Sequence, residues 1–254
     1  MVNKEKYDRI LNNEKQKFYR EGRHAQWKIL SGEGLSMIVK VPEKEALNYH
    51  YKEKPVYDVI KRIFDIVSSI VALIIFSPVM LIAAILVKRE DGGPVLFKQV
   101  RLTKNGRPFT MYKFRSMCVD AEKRRADLES DNEMSGPAFK MKNDPRVTKI
   151  GRILRKTSID ELPQLVNILR GDMSVIGPRP PLPSEVKEYS EWQKHRLDVK
   201  GGLSCYWQCS GRSNIDFDRW VRLDLQYIMD RGLWTDLKII FWTFGAVLRQ
   251  DGAE

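Results

Sequence analysis

With 254 residues, 43% apolar and 10% aromatic side chains, the chain can bury the core of one large domain or two small ones, which excludes a disordered protein. Charged residues at 30% exclude a membrane protein apolar throughout, and three cysteines (Cys118, Cys205, Cys209) exclude a disulfide framework. Forty-four Lys and Arg against 33 Asp and Glu leave a net charge of +11, which expects an anionic partner: nucleic acid, an anionic membrane surface or phosphorylated substrates.

Residues 1–57 carry 12 Lys and Arg and 8 Asp and Glu with scattered apolar positions. They read as one long, largely polar helix and a linker closing at Pro55, without chemistry of their own. No secretory signal pattern is present at the start, so the chain is expected on the cytosolic side.

The next segment changes character. From 66 to 87 run 22 residues, IVSSIVALIIFSPVMLIAAILV, without a charge. A straight helix of that length reaches about 33 Å, enough for a ~30 Å hydrocarbon core. A buried core helix is the bland alternative. Pro78 removes a backbone donor and crowds the carbonyl of Ile74, and the Ser77 hydroxyl can re-satisfy that carbonyl. Basic residues flank both sides: Lys52, Lys54, Lys61 and Arg62 before, Lys88 and Arg89 after. A spanning helix is usually asymmetric in charge, whereas symmetric flanks suit a hairpin returning to one anionic leaflet. A helix-break-helix re-entrant hairpin, broken at Ser77-Pro78, is therefore preferred to a single span.

After the turn cluster Asp91-Gly92-Gly93-Pro94, residues 95–102 and 107–114 read as a β-hairpin around Asn105-Gly106. The period of two puts Phe109, Met111, Lys113 and Arg115 on one face. Six basic residues and no acidic one lie between Lys98 and Arg115. They serve either as a charged, aggregation-resistant edge or as a phosphate-binding surface led by Lys113 and Arg115. A helix over about 120–129 follows, then a polar loop over 130–145. Residues 147–156 form a short amphipathic helix, with Val147, Ile150, Gly151 and Leu154 opposite Lys149, Arg152, Arg155 and Lys156. It can lie in a membrane interface or pack on a core.

Ser158-Ile159-Asp160-Glu161-Leu162-Pro163 leads into a helix over 164–170 closed by Gly171. Ser-x-x-Glu is a capping-box pattern, and acidic residues in a first turn complement the helix dipole. The other reading is chemical: adjacent carboxylates beside Arg152, Arg155 and Lys156 can gather phosphates or a divalent metal. In Gly177-Pro178-Arg179-Pro180-Pro181, prolines flank Arg179 and present its guanidinium with little entropy left to lose, which suits bidentate phosphate recognition; a rigid linker is the alternative. Together these residues suit a phosphoryl-transfer enzyme working on a lipid at a cytosolic membrane face.

The stretches FDIVSSIVALIIFSPVMLIAAILVKREDGGPVLFKQVRLTKNGRPFTMYKFRSM, NDPRVTKIGRILRKTSIDELPQLVNILRGDMSVIGPRPPLP and WQCSGR with LWTDLKIIFWTFGAVL resemble the bacterial sugar transferases, monotopic polyprenyl-phosphate phosphoglycosyltransferases, over about 58–254. The resemblance implies an α+β, mostly helical fold with a re-entrant hairpin, interfacial amphipathic helices and a small β-hairpin. It divides the chain into an N-terminal extension (1–57), a membrane hairpin (58–90) and a cytosolic catalytic domain (91–254).

It also implies transfer of a sugar 1-phosphate, galactose or glucose phosphate, from a UDP-sugar to undecaprenyl phosphate with release of UMP. That step would start capsule, O-antigen or exopolysaccharide synthesis at the cytosolic leaflet of the bacterial inner membrane. Ser77-Pro78 match the break of the hairpin, and Asp160-Glu161 match the catalytic dyad, with Asp160 as nucleophile and Mg²⁺ alongside it. Lys113, Arg115, Arg155 and Arg179 fall among the phosphate-binding positions, and a homodimer is an expected partner. The chain departs from the family where a Pro-Gly-(Ile/Leu)-Thr-Gly stretch usually precedes Trp-Gln, since it reads Gly201-Gly202-Leu203-Ser204-Cys205-Tyr206. The rival class is a peripheral scaffold that only binds anionic lipid. No nucleic-acid recognition motif appears, so a nucleic-acid partner is not expected.

Overall fold

The computed structural model describes residues 49–254 apart from 134–135, 140, 142, 210–215 and 250–254. The long polar helix expected over 1–57 therefore lies almost wholly outside the described residues.

Helix α1, Pro55–Asp91, runs 37 residues, with proline at its start and Gly92 in the left-handed conformation (φ 71°) at its end. By length and composition it can cross a membrane. The expected break at Ser77-Pro78 is not a break: helical structure continues through both residues. The Ser77 hydroxyl donates to the Ile74 carbonyl at 2.8 Å, the acceptor that Pro78 leaves vacant, so proline costs one bond without dividing the helix.

What does change near Pro78 is packing. Before it, Tyr57, Asp65 and Ser69 are buried, and after it, Ala83 and Val87. Between them Ile74 to Val79 are exposed on every side. Both arms join the rest of the chain. Ala72 and Leu73 pack on a cluster of Phe109, Met111, Leu165, Ile168 and Met173. Ala83 and Val87 form a second cluster with Phe114 and Leu154. The segments divided at 90 and 91 in the sequence thus share their cores.

Strands β1, Leu96–Leu102, and β2, Pro108–Phe114, pair antiparallel from Leu96↔Phe114 to Leu102↔Pro108. Asn105 (φ 59°) and Gly106 (φ 72°) both adopt the left-handed region at the turn, as Asn-Gly does most readily. The helix expected over 120–129 is 3₁₀ structure over Lys123–Asp131. Helix α2, Lys149–Lys156, is capped by Thr148, whose hydroxyl accepts from the Gly151 N–H at 2.9 Å. Gly151 and Leu154 turn inward, so this amphipathic face packs on the core rather than on lipid. A Cβ at Gly151 would stand 2.0 Å from the Ser116 carbonyl oxygen, so only glycine admits this approach.

Helix α3, Gln164–Arg170, ends at Gly171 (φ 86°) as expected. Strand β3, Ser174–Ile176, pairs parallel with β4, Gly202–Ser204, in a two-stranded sheet the sequence did not announce. Short helices α4 (Pro183–Lys187), α5 (Glu191–Lys194) and α6 (Tyr206–Cys209) precede two longer ones, α7 (Phe217–Asp230) and α8 (Leu233–Arg249). Along α8, Trp234, Leu237, Phe241 and Phe244 are exposed at helical spacing, one apolar face without cover.

Candidate active site

The acidic pair lies in a 3₁₀ turn, Ile159–Glu161, placed between α2 and α3. The capping box does not form. Ser158 sits in the left-handed region (φ 57°), its side chain caps nothing, and Glu161 reaches away to Lys113, Oε1 to Nζ at 2.8 Å. A serine held at positive φ is strained backbone of the kind found at working sites. The turn directs Asp160 inward, where it is 7% exposed. Burial pushes its carboxyl up to about 6, against the pull of Lys113, Arg155 and Arg179 and with the nearby Glu161 charge raising it further.

Three cations face this carboxylate from separate elements. Lys113 stands near the end of β2. Arg155, in the last turn of α2, donates from Nε to the Ser116 hydroxyl at 3.0 Å. Arg179 lies over the ring of Trp207, 5.9 Å from its centroid, and Trp207 is stacked on Trp220 at 4.4 Å. The proline-flanked segment is pinned from both sides. The Pro178 carbonyl accepts from Gly202 N–H at 2.9 Å, Pro180 from the Arg101 guanidinium at 3.0 Å and Pro181 from Leu102 N–H at 2.9 Å. Gly202 is required there, since a Cβ would meet Gly177 N at 2.1 Å. The divergent Gly-Gly stretch is thus what holds the Arg179 segment against β4.

Arg115 lines the same cleft but is held differently. It is buried, and its guanidinium forks onto both carboxylate oxygens of Asp91 at the end of α1, while Nε donates to the Pro94 carbonyl at 2.6 Å. The strand alternation that put Arg115 beside Lys113 ends at Phe114, and the Arg115 head is spent tying the hairpin to α1. The structure thus shows Arg115 as a structural clamp, and its expected phosphate role remains a proposal. Ser77 and Pro78 lie on the exposed part of α1 and do not line that cleft.

These groups line a cleft of about 790 Å³. Sequence reasoning missed three of its features. Trp207 appeared only as a motif residue, and Arg101 is indistinguishable in sequence from its exposed basic neighbours. Asp144 and Arg146, a buried fork-to-fork pair with Nη2 to Oδ2 at 2.7 Å, came from the end of the stretch read as loop and the position just after it. Beside the cleft runs a groove of about 470 Å³ between the second arm of α1 (Met80, Leu81, Ala84), Tyr112 of β2, and Pro163 and Val166. Leu96 and Phe114 border both cavities. Apart from Arg170 the groove residues are apolar or aromatic.

No group of three or more metal-ligating side chains occurs among the described residues. Two adjacent carboxylates are nevertheless a sufficient protein share for Mg²⁺, which takes one or two carboxylates and completes its shell with water and substrate phosphates. Asp160 and Glu161 fit that donor set.

The bacterial sugar transferase family matches residues 56–250. The galactosyl transferase CpsE of Streptococcus agalactiae is 51% identical over 197 residues, 76% of this chain and 43% of that protein. The undecaprenyl-phosphate galactose phosphotransferase of Salmonella typhimurium is 44% identical over 198 residues, 76% of this chain and 41% of its own length. The exopolysaccharide production protein ExoY of Rhizobium meliloti is 41% identical over 207 residues, 79% of this chain and 90% of its own. The chain thus spans about two fifths of the first two relatives and nearly all of the third.

Proposed function

This chain belongs to the bacterial sugar transferase family, and from that membership we propose that it moves a sugar 1-phosphate from a UDP-sugar to undecaprenyl phosphate, with galactose phosphate the first candidate. The observation that carries the reading is the buried Asp160, 7% exposed, facing Lys113, Arg155 and Arg179 across a cleft that adjoins an apolar groove. The cations suit a diphosphate, and the groove suits the hydrocarbon chain of an amphiphilic acceptor whose phosphate enters the cleft.

In the first step an Asp160 carboxylate oxygen attacks the sugar-bearing phosphorus. The bond from that phosphorus to the bridging oxygen breaks, and UMP departs with that oxygen and the electron pair. In the second, an oxygen of the lipid phosphate attacks the same phosphorus and the aspartyl bond breaks, restoring the carboxylate and leaving a lipid diphosphosugar. Two steps through one nucleophile spare the cleft from holding both anionic substrates together. Arg155 and Arg179 offset charge growing on the equatorial oxygens, and the proline-flanked backbone keeps Arg179 oriented for it. Lys113 holds Glu161 beside the nucleophile, where Glu161 serves the metal or takes the lipid phosphate's proton. Asp160, with Glu161 beside it, would hold Mg²⁺, whose charge would help to neutralise the diphosphate.

We also read α1 as bent at Ser77-Pro78 within its continuous helical run, so that it enters the membrane from the cytosolic face and returns to it. The stretch uncovered on every side, Ile74 to Val79, spans only about 9 Å at 1.5 Å per residue, far short of a ~30 Å core. Both arms beyond it pack on the body that carries Asp160. The exposed face of α8, with Trp234, Phe241 and Phe244 among its apolar residues, suits the interface around that insertion.

The test is donor turnover without acceptor. Given a panel of UDP-sugars, Mg²⁺ and no polyprenyl phosphate, the protein should release about one equivalent of UMP per site and gain the mass of one sugar phosphate on the peptide containing Asp160. Absence of UMP release with every UDP-sugar, or an adduct on another residue, would overturn the reading.

A further inference from the structure

Two charged residues of α1 lie three positions apart and grip the two segments that bring opposite charges to the cleft. Arg62 donates from both terminal nitrogens to the carbonyls of Ile168 and Leu169, each at 2.6 Å. These are among the last carbonyls of α3, which a helix leaves without partners, and a cation there also meets the negative end of the helix dipole. α3 begins three residues after Glu161. Asp65, 3% exposed, accepts from the Val175 N–H at 2.9 Å and the Ser174 hydroxyl at 3.1 Å. Both belong to β3, which runs directly into Gly177-Pro178-Arg179.

The chemistry explains why a carboxylate occupies an apolar helix. β3 pairs with β4 along one edge, where Ser174 N–H donates to the Gly201 carbonyl at 2.9 Å. The Val175 N–H points to the opposite edge, where no strand lies among the described residues. Left unpaired in this half-buried position, that donor would cost up to about 1–3 kcal/mol. Asp65 supplies the acceptor that a second strand would have given.

We propose that Arg62 and Asp65 are positioning residues: from the membrane-inserted helix they set the separation between the Asp160-Glu161 turn and the Arg179 segment. In sequence α3 and β3 are joined by Gly171 to Met173 alone, so these bonds from α1 add the side-chain grip that fixes how the two segments sit. The proposal rests on the assigned roles of Asp160 and Arg179, and it places site assembly under the control of how α1 is seated.

The experiment uses the full chain in nanodiscs. Asp65→Ala removes the acceptor. Asp65→Asn keeps a carbonyl oxygen able to accept both bonds, and Ser174→Ala removes one bond without touching α1. Hydrogen–deuterium exchange should rise about tenfold or more over residues 174–180 in Asp65→Ala, less in Ser174→Ala and hardly in Asp65→Asn, with α7 unchanged in all three. Turnover per folded molecule should fall at least about tenfold in Asp65→Ala with donor KM within about threefold, and Asp65→Asn should restore most of it. In an Arg179→Ala background, Asp65→Ala should cost little more, since it acts through the residue already removed. Unchanged exchange over 174–180 overturns the inference whatever the activity, and so does an equal loss in both backgrounds. A wild type without UMP release counts against the proposed reaction, and the exchange measurement then decides the positioning role by itself.

Discussion

Replacing Asp160 with Asn should yield a protein that is more stable and almost inactive. Asn copies the shape of the neutral acid, so it keeps the packing and sheds the cost of a buried charge. Burial holds the Asp160 carboxyl at about 6, against an ordinary 3.8. At about 1.4 kcal/mol per pH unit, that gap is worth about 3 kcal/mol once the carboxyl is ionised. The folded-state value lies above the unfolded one. The contribution of Asp160 to stability is therefore full below about 3.8 and lost as pH rises through about 6. The variant and the wild type should then unfold together near pH 4 and diverge up to about pH 7, where Asn leads by roughly 6–12 °C in Tm for a chain of this size. Thermal unfolding in detergent micelles across that range, without nucleotide or divalent cation, measures it. A less stable Asn variant at neutral pH, or a difference that ignores pH, would refute the reasoning. The same variant should lose turnover by orders of magnitude, because an amide cannot form the acyl phosphate. A residue that merely completed a helix cap would leave turnover intact.

Arg179→Ala should lower kcat/KM by the equivalent of about 2–4 kcal/mol and Arg179→Lys should recover only part, since a point charge does not replace the guanidinium fork; wild-type kinetics in the Ala variant would remove Arg179 from the site. Arg115→Ala should cost about 2–4 kcal/mol in denaturant unfolding with turnover per folded molecule preserved, and selective loss of turnover would return Arg115 to the phosphates. In the wild-type enzyme, kcat/KM for the donor should rise with pH through an inflection near 6 as Asp160 ionises, and a flat profile from about pH 5 to 8 would count against it as nucleophile. Cysteines at exposed Glu53 and Arg89 should both label from the cytosolic side of sealed vesicles, whereas Ser77-Pro78→Leu-Leu should move one of them out of reach by straightening α1. Labelling of the wild-type pair from opposite sides would make α1 a span.

Local rules made much of this fold legible, and long-range partners account for the rest. The Asn105-Gly106 turn, the Gly171 helix end and the Ser77 bond around Pro78 each depend on a few neighbouring residues, and each formed as read. Periodicity could not show that Asp91, 24 residues earlier, captures the Arg115 guanidinium. It could not announce β3 and β4 either, three residues each, whose pairing depends on Gly177 and Gly202 meeting at close range. Of the site, Asp160, Glu161, Lys113, Arg155 and Arg179 come together around one cleft. Trp207 and Arg101 escaped notice because nothing in a single sequence separates a tryptophan under an arginine, or one strand arginine among several, from its neighbours.

The distribution of satisfied and unsatisfied charge carries the argument a step further. Three buried arginines are matched by carboxylates: Arg115 with Asp91, Arg146 with Asp144, and Arg196 with Asp224 at 2.8 Å. Arg101, Arg155 and Arg179, which line the cleft, have no carboxylate ion-pair partner among the described residues, while Asp160 stays buried and Ser158 holds a strained φ. Three arginines without a carboxylate partner among the described residues thus meet in one cleft, together with a serine at positive φ. Such a concentration of local costs persists where surrounding structure enforces it, and Arg62 and Asp65 supply that enforcement from α1. The missing counter-charge is then the ligand's, and a diphosphate brings it in the geometry that guanidinium forks accept.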